Sequence, residues 1–398
     1  MNTISNFFFL VRREFRIFLG NATLRTVFIL GPLFYAIFFG FLYKDGKVTD
    51  LPIIIVDRDI TPTSLQLLDM LNETESIKIA DVKQDNTNLE KDIIKYDASA
   101  VIVIPERFEA DLLQKRYPEL VVYINTTNLM TANFASKALQ TTLGTFSAGV
   151  AIKGLQKKGM PASMAASQYE PVKINYIKIY NETGNYLLFM WPALLAVVLQ
   201  QVIFLAMAVS FASEFEKKTF ASEFLTRTRS GFSAIIIKVL PVWVLSVVHL
   251  MIFYCLHYFF QANIPHQVVN YAIISGLFIA AVSFMGVFIS VLLPDSLKAT
   301  QVLMLISTPA FLMGGFTWPK EAMPAAIQYF ADIIPLTPFL KGFKVLLMQN
   351  GDLSDITSSL KHLGILVVIY GSISYIAIRL KIYREQKQLS TSVDSYAS

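Results

Sequence analysis

From Tyr186 to Ser213 the chain carries no charged side chain, and from Val239 to Ile264 it again carries none. A bilayer crossing needs about 20 apolar residues to span roughly 30 Å of hydrocarbon. Runs this long leave the backbone little choice, because lipid offers no partner to an unpaired amide and only helices or closed barrels satisfy one there. The second of these stretches is read as a span from Val239 to Phe260, and four further runs fit the same reading: Thr26 to Tyr43, Val268 to Leu293, Ala299 to Phe316 and Leu363 to Ile378. The first and last are short, but Arg25, Lys44, Lys361, His362 and Arg379 flank them and can snorkel. Composition agrees: 54% hydrophobic and only 16% charged residues is far from the balance of a soluble chain. The expected fold is a polytopic α-helical membrane protein with six transmembrane helices.

Six crossings place both termini on one side, and the basic residues say which. Arg12, Arg13, Arg16 and Arg25 precede the first run. Lys217, Lys218, Arg227 and Arg229 sit between the second and third, and Lys381, Arg384 and Lys387 follow the last. The connection Gln261 to Gln267 has no lysine or arginine. Lysine and arginine collect on the cytoplasmic side, so both termini are expected inside the cytoplasmic (inner) membrane. Lys320, Lys341, Lys344 and Lys361 on the opposite side blur the pattern without reversing it. The net charge of +5 comes from residues beside apolar runs, not from a stripe with interleaved aromatics, which argues against nucleic acid as a partner. The start is apolar before it is basic, the reverse of a cleavable signal. Phe7, Phe8, Leu10, Val11, Phe15 and Phe18 recur at helical spacing, so residues 1–25 read as an amphipathic helix on the membrane surface. The one cysteine, Cys255, reads as a small buried apolar residue.

Between the first two runs lies a polar segment, 44–183, long enough to be a domain. Strands are expected at Ile53 to Val56, Ile77 to Val82, Ala100 to Ile104, Leu120 to Ile124 and Val172 to Ile179. Helices are expected at Ser64 to Leu71, Asn88 to Lys95, Glu106 to Lys115 and Asn128 to Lys158. The alternation predicts a small inserted α/β domain, outside the cell by the topology above. Asp57 and Asp59 follow a strand, where α/β sites often lie, yet before Thr61 and Pro62 they read as turn and cap residues. Gly154 to Gly159 (GLQKKG) begins like a phosphate loop but has Met160 and Pro161 where Lys and Ser or Thr are required. No nucleotide site is expected in this chain, and no metal site.

Two connections carry the functional argument. Glu214 to Arg229 packs seven charged groups between apolar runs. Phe211, Phe215, Phe220, Phe224 and Leu225 fall at roughly helical intervals, with Glu214, Glu216, Lys217, Lys218 and Glu223 on the other face. A short amphipathic helix is expected, offering mixed charges to a protein partner. Further on, Ser307 to Pro324 (STPAFLMGGFTWPKEAMP) is too long for a loop and too broken for one helix. Gly314 and Gly315 allow a sharp turn, Trp318 suits an interface and Pro319 can open a helix. With Met323 and Pro324 they predict two short helices that re-enter the outer leaflet over 317–345. Gln200, Gln201, His249 and Gln301 are polar groups inside runs and candidate pathway residues, as is His257; helix-to-helix hydrogen bonding is the plainer account of each.

These stretches resemble the permease subunits of type-2 ATP-binding-cassette (ABC-2 type) exporters, in the branch with a large extracytoplasmic domain between the first and second spans. The family's cytoplasmic loop resembles FASEFEKKT, Phe211 to Thr219, with Lys218 where the family has Gly. Its apolar-Gly-apolar-aromatic-Pro element, with the Met-Pro and Pro-Leu-Thr that follow, resembles Gly314 to Pro319, Met323 and Pro324, and Pro335 to Pro338. Its entry to the second span resembles Tyr180, Asn181, Phe189 and Pro192, with Glu182 where Pro is usual. The resemblance implies a chain that is not itself an enzyme and holds no cofactor, ATP and Mg being bound by a separately encoded ABC ATPase dimer. It implies coupling contacts to that ATPase at Glu214, Glu216, Lys217, Lys218 and Thr219, with Arg12, Arg13, Glu14 and Arg16 beside them. It also implies a homodimer or a heterodimer with a sister permease, with a periplasmic adaptor and outer-membrane channel as further candidate partners.

The expected organisation is therefore an interface helix (1–25), a first span (26–43), the inserted domain (44–183), five more spans (184–381) including the coupling connection 213–231, and a tail (382–398). The expected function is export of a drug-like, lipid or other amphiphilic substrate. The alternative is an anchored envelope scaffold whose ectodomain recruits partners without transport, for which six spans and broken helices are superfluous. A membrane enzyme would need clustered carboxylates or histidines, whereas Asp295 and Asp332 stand alone.

Overall fold

The structure, a computed structural model, describes residues 3–169, 177–228, 230–263 and 267–397. It divides into two compact units: Met1–Gly46 with Lys178–Ser398, and Lys47–Ile177.

The first unit is helical. α1 (Thr3–Gly20) precedes α2 (Ala22–Leu42), whose start is capped by Asn21, its side-chain oxygen accepting from Leu24 N at 3.1 Å. The inserted unit holds β1 (Leu51–Asp57), α3 (Pro62–Asn72), β2 (Ile77–Lys83), α4 (Leu89–Tyr96), β3 (Ala100–Ile104), α5 (Phe108–Leu113), β4 (Val121–Ile124), α6 (Leu129–Gln156) and α7 (Ala162–Tyr169). The helical unit resumes with α8 (Tyr186–Glu216), α9 (Gly231–Phe259), α10 (Val268–Leu292), α11 (Ser296–Met313), α12 (Ala325–Asp332), α13 (Leu336–Met348) and α14 (Thr357–Ala397).

Among the described residues, six helices are long and apolar enough to cross a membrane: α2, α8, α9, α10, α11 and α14. They are the six runs read from the sequence. α8 is the centre, with 72% of its most apolar stretch buried against 22% for α11. Gly286 lets α10 approach α8, since a Cβ there would sit 2.5 Å from Met207 Cβ. Cys255 is exposed on α9, on a surface that hydrocarbon would cover, and is not the buried residue expected. α14 extends well past the predicted Ile378 and runs helical through most of the expected tail.

In the inserted unit the strand order is β2-β1-β3-β4. β1 pairs in parallel with β2 and β3, while β4 joins β3 antiparallel. Ile53 and Ile55 face a core shared with α3, α5 and α6, and Ile54 and Val56 face one shared with α4. Both faces of β1 are thus covered, which is why it reads as an unbroken apolar run. β4 alternates exposed and half-buried residues, as an antiparallel edge strand with one solvated face does. Of the strand expected at Val172 to Ile179, residues 172–176 lie outside the described residues. Asp57 is a turn residue: its carboxylate accepts from Asp59 N (3.0 Å), Ile60 N (3.1 Å) and the Ser64 hydroxyl (2.7 Å). Asp59 accepts from the Thr61 hydroxyl (2.6 Å) and Glu109 N (2.9 Å).

Candidate coupling site at one end of the helix bundle

The charged connection does not form a separate helix. α8 continues through Glu216, then breaks at Lys218, whose φ of 58° lies in the left-handed region. That conformation costs a side-chain-bearing residue about 1 kcal/mol more than glycine. A five-residue turn, Phe220–Phe224, follows with the wide hydrogen-bonding of a π-helix. The apolar face is as expected, with Phe211, Phe220, Phe224 and Leu225 all buried.

The charges divide in a way that periodicity did not reveal. Glu216, Lys217, Lys218 and Glu223 are exposed, whereas Glu214 is buried. Its carboxylate receives Arg13 of α1 (Nη1 to Oε1, 2.6 Å) and Lys238 of α9 (Nζ to Oε1, 2.8 Å), and the Thr219 hydroxyl donates to Oε2. Lys238 also donates to Glu14 (2.9 Å), and Arg13 reaches Glu14 (2.8 Å) and Glu223 (3.0 Å). Lys238 lies over the rings of Phe211 and Phe224, its Nζ 5.6 and 5.3 Å from their centroids. Two cations and two buried anions thus close a neutral cluster that binds α1, α8 and α9 to one another. Burial opposes the charge on Arg13, but the hydrogen bond and charge of Glu214, with Glu14 and Glu223 adding to them, hold its pKa above the ordinary arginine value. Desolvation offsets much of the attraction in such a cluster, so its main effect is to fix geometry.

Further contacts gather at the same end. Ser290 of α10 accepts from Phe211 N (3.0 Å) and Ala212 N (2.9 Å) and donates to Ala208 O (2.8 Å). Lys381 of α14 lies over Phe215 (4.9 Å), and Arg227 over Phe9 of α1 (3.8 Å). Glu216 accepts from Ser296 at the start of α11 (2.9 Å). Five of the six candidate spans therefore touch this connection or its anchors. Arg12 and Arg16 are exposed on α1, and Arg229 lies outside the described residues.

Lys238 is the member that sequence reasoning missed. It stands between two isoleucine-rich and valine-rich stretches at the edge of the third run, and an ionisable residue in such a place calls for a named partner.

The other candidates are dispersed. Gln200 is buried and donates to Ser307 (3.2 Å), its Oε1 having no partner among the described residues. Gln201 is half-buried and Gln301 exposed. His249 packs on Phe28 (5.2 Å) and His257 on Trp191 (4.7 Å). Gly314 ends α11, Gly315 turns the chain at φ 76°, and Trp318 is exposed. Pro319 precedes a short 3-10 turn, which Met323 ends, and Pro324 precedes α12. α12 and α13 supply the two short helices expected there, but the first opens at Ala325 and not at Pro319. Among the described residues, no three His, Cys, Asp or Glu side chains gather as metal ligands would.

Residues 23–376 match a family described as ABC-2 family transporter protein. The chain is 21% identical over 374 residues to the probable multidrug ABC transporter permease YbhR of Escherichia coli K12, covering 94% of this chain and 98% of the relative. The same figures hold for the protein of that name from Escherichia coli O157:H7.

Proposed function

The chain belongs to the ABC-2 transporter family, and from that premise we propose that it is the permease subunit of an exporter driven by ATP bound to a separately encoded ATPase. Family membership implies the ATPase partner, and the coupling end supplies a place for it. Exposed Glu216, Lys217, Lys218 and Glu223, with Arg12 and Arg16 on α1, form the contact surface on the cytoplasmic side. Glu214, Arg13, Glu14 and Thr219 act one layer deeper, holding that surface to the spans.

The observation that carries this reading is the neutral buried cluster of Arg13, Glu14, Glu214 and Lys238. A loop that only fixed topology would need no such anchorage. A rigid joint between a surface helix and two spans lets closure of two ATPase subunits move the bundle as a body. The ATPase dimer carries ATP and Mg, and two permease halves enclose the pathway. The word multidrug in the name of the Escherichia coli relatives supports a drug-like substrate, which on this reading moves outward across the inner membrane.

The test uses proteoliposomes containing the permease and its cognate ATPase. Glu216→Lys with Lys217→Glu keeps net charge and the buried cluster but inverts the contact pattern. Stimulated ATP hydrolysis is expected to fall to the rate of the ATPase alone while the thermal unfolding midpoint of the permease is unchanged. Full stimulation by the double variant refutes the coupling role.

A further inference from the structure

The inserted unit carries a groove beside α6. Two adjoining clefts of about 630 and 380 Å³ run along α6 beside α3 and the end of α5. Leu112, Lys115, Phe146, Val150, Gly154 and Lys158 line both, so the clefts are two parts of one groove. The size is within the usual range of about 300–1,000 Å³ for small-molecule sites.

Its walls have two characters. Met70, Leu112, Phe146 and Val150 supply apolar surface, and Gly154 leaves space open, with nothing within 4 Å of where its Cβ would stand. Lys115, Lys153, Lys157 and Lys158 supply charge. Among the described residues none of the four has an ion-pair partner. Lys153 and Lys157 are one helical turn apart, a spacing at which like charges repel. Lys115, from another element, is held in left-handed backbone (φ 58°) at the close of α5. There the neighbouring Lys158 side chain, of like charge, lowers its pKa. The acidic residue of the larger cleft, Glu109, is engaged with the Thr63 hydroxyl (2.6 Å). Lysines brought together from two elements, beside apolar wall and without a counter-charge, fit an anion with a hydrocarbon tail. A second copy of the chain fits badly, since a shared two-fold axis through this patch would set the lysines of both copies against each other.

We propose that this groove is a binding site for the exporter's substrate and that the substrate is a single-chain anionic amphiphile, its acid group against the four lysines and its chain along Leu112, Phe146 and Val150. This assignment of substrate class rests on the exporter reading, but its test needs no ATPase.

The full chain in phosphatidylcholine nanodiscs is titrated with 11-(dansylamino)undecanoate, empty nanodiscs serving as the blank for partitioning. Saturable binding is expected, displaced by laurate, with dodecanol and inorganic phosphate at least about tenfold weaker as competitors. Lys157→Glu with Lys158→Glu weakens binding about tenfold or more, and the new carboxylate beside Lys115 keeps the fold intact. Gly154→Leu fills the groove without altering charge and favours the helix, so it abolishes binding in a folded protein. Equal displacement by dodecanol, equal displacement by phosphate, or wild-type affinity in the folded variants each overturns the proposal. Such a failure leaves ATPase-coupled export untouched, and failure of coupling leaves this binding measurable.

Discussion

Lys238→Met tests the buried cluster most severely. The Lys238 side chain is 2% exposed, and its ammonium lies 2.9 Å from Glu14 and 2.8 Å from Glu214, whose side chains are 9% and 3% exposed. Methionine replaces the aliphatic stem closely but leaves two buried carboxylates sharing one guanidinium. Removing one partner of a buried ionic group costs about 3–5 kcal/mol, because the remaining charge has lost its compensation. An exposed substitution such as Lys217→Ala changes stability by no more than about 0.5 kcal/mol. Adding Glu14→Gln to Lys238→Met makes the cluster neutral again. The double variant should then be more stable than the sum of the single losses by about 1 kcal/mol or more. Denaturant unfolding in mixed micelles, followed by tryptophan fluorescence to which fully buried Trp191 contributes, measures each variant. If Lys238→Met unfolds within about 0.5 kcal/mol of the wild type, or if the two single losses simply add, the cluster is not a coupled unit.

Lys218→Gly removes the left-handed strain at the break after α8 and should stabilise the helical unit by about 1 kcal/mol, read in the same unfolding assay. Asp57→Ala deletes the acceptor for two backbone amides and the Ser64 hydroxyl; a loss of about 1–3 kcal/mol is expected, visible as faster amide exchange in α3 with α8 unaffected.

The membrane architecture was legible because hydrocarbon imposes a length and a composition together, and Tyr186 to Ser213 could satisfy both in one way only. The β1 to β3 core was legible for a similar reason, since IIIV demands cover on two faces. The coupling end was half legible. Phe211, Phe220 and Phe224 marked the packed face, but Glu214 and Glu216 are the same residue type two positions apart, and one is buried while the other is exposed. Only a cation from another helix decides which, and Lys238 lies far enough along the chain that local pattern cannot supply it. The antiparallel pairing of β4 was hidden too, because strand direction depends on partners and not on the strand's own four residues.

The most direct measurement places a photo-crosslinking residue, and in parallel Cys255→Ser variants a cysteine, at position 217 and separately at position 153 on the inserted unit, in cells that also make the cognate ATPase. Irradiation should join position 217 to the ATPase, while position 153 captures none of it and is labelled by a membrane-impermeant reagent from outside. Labelling of position 217 from outside, or capture of the ATPase from position 153 but not from 217, contradicts the account.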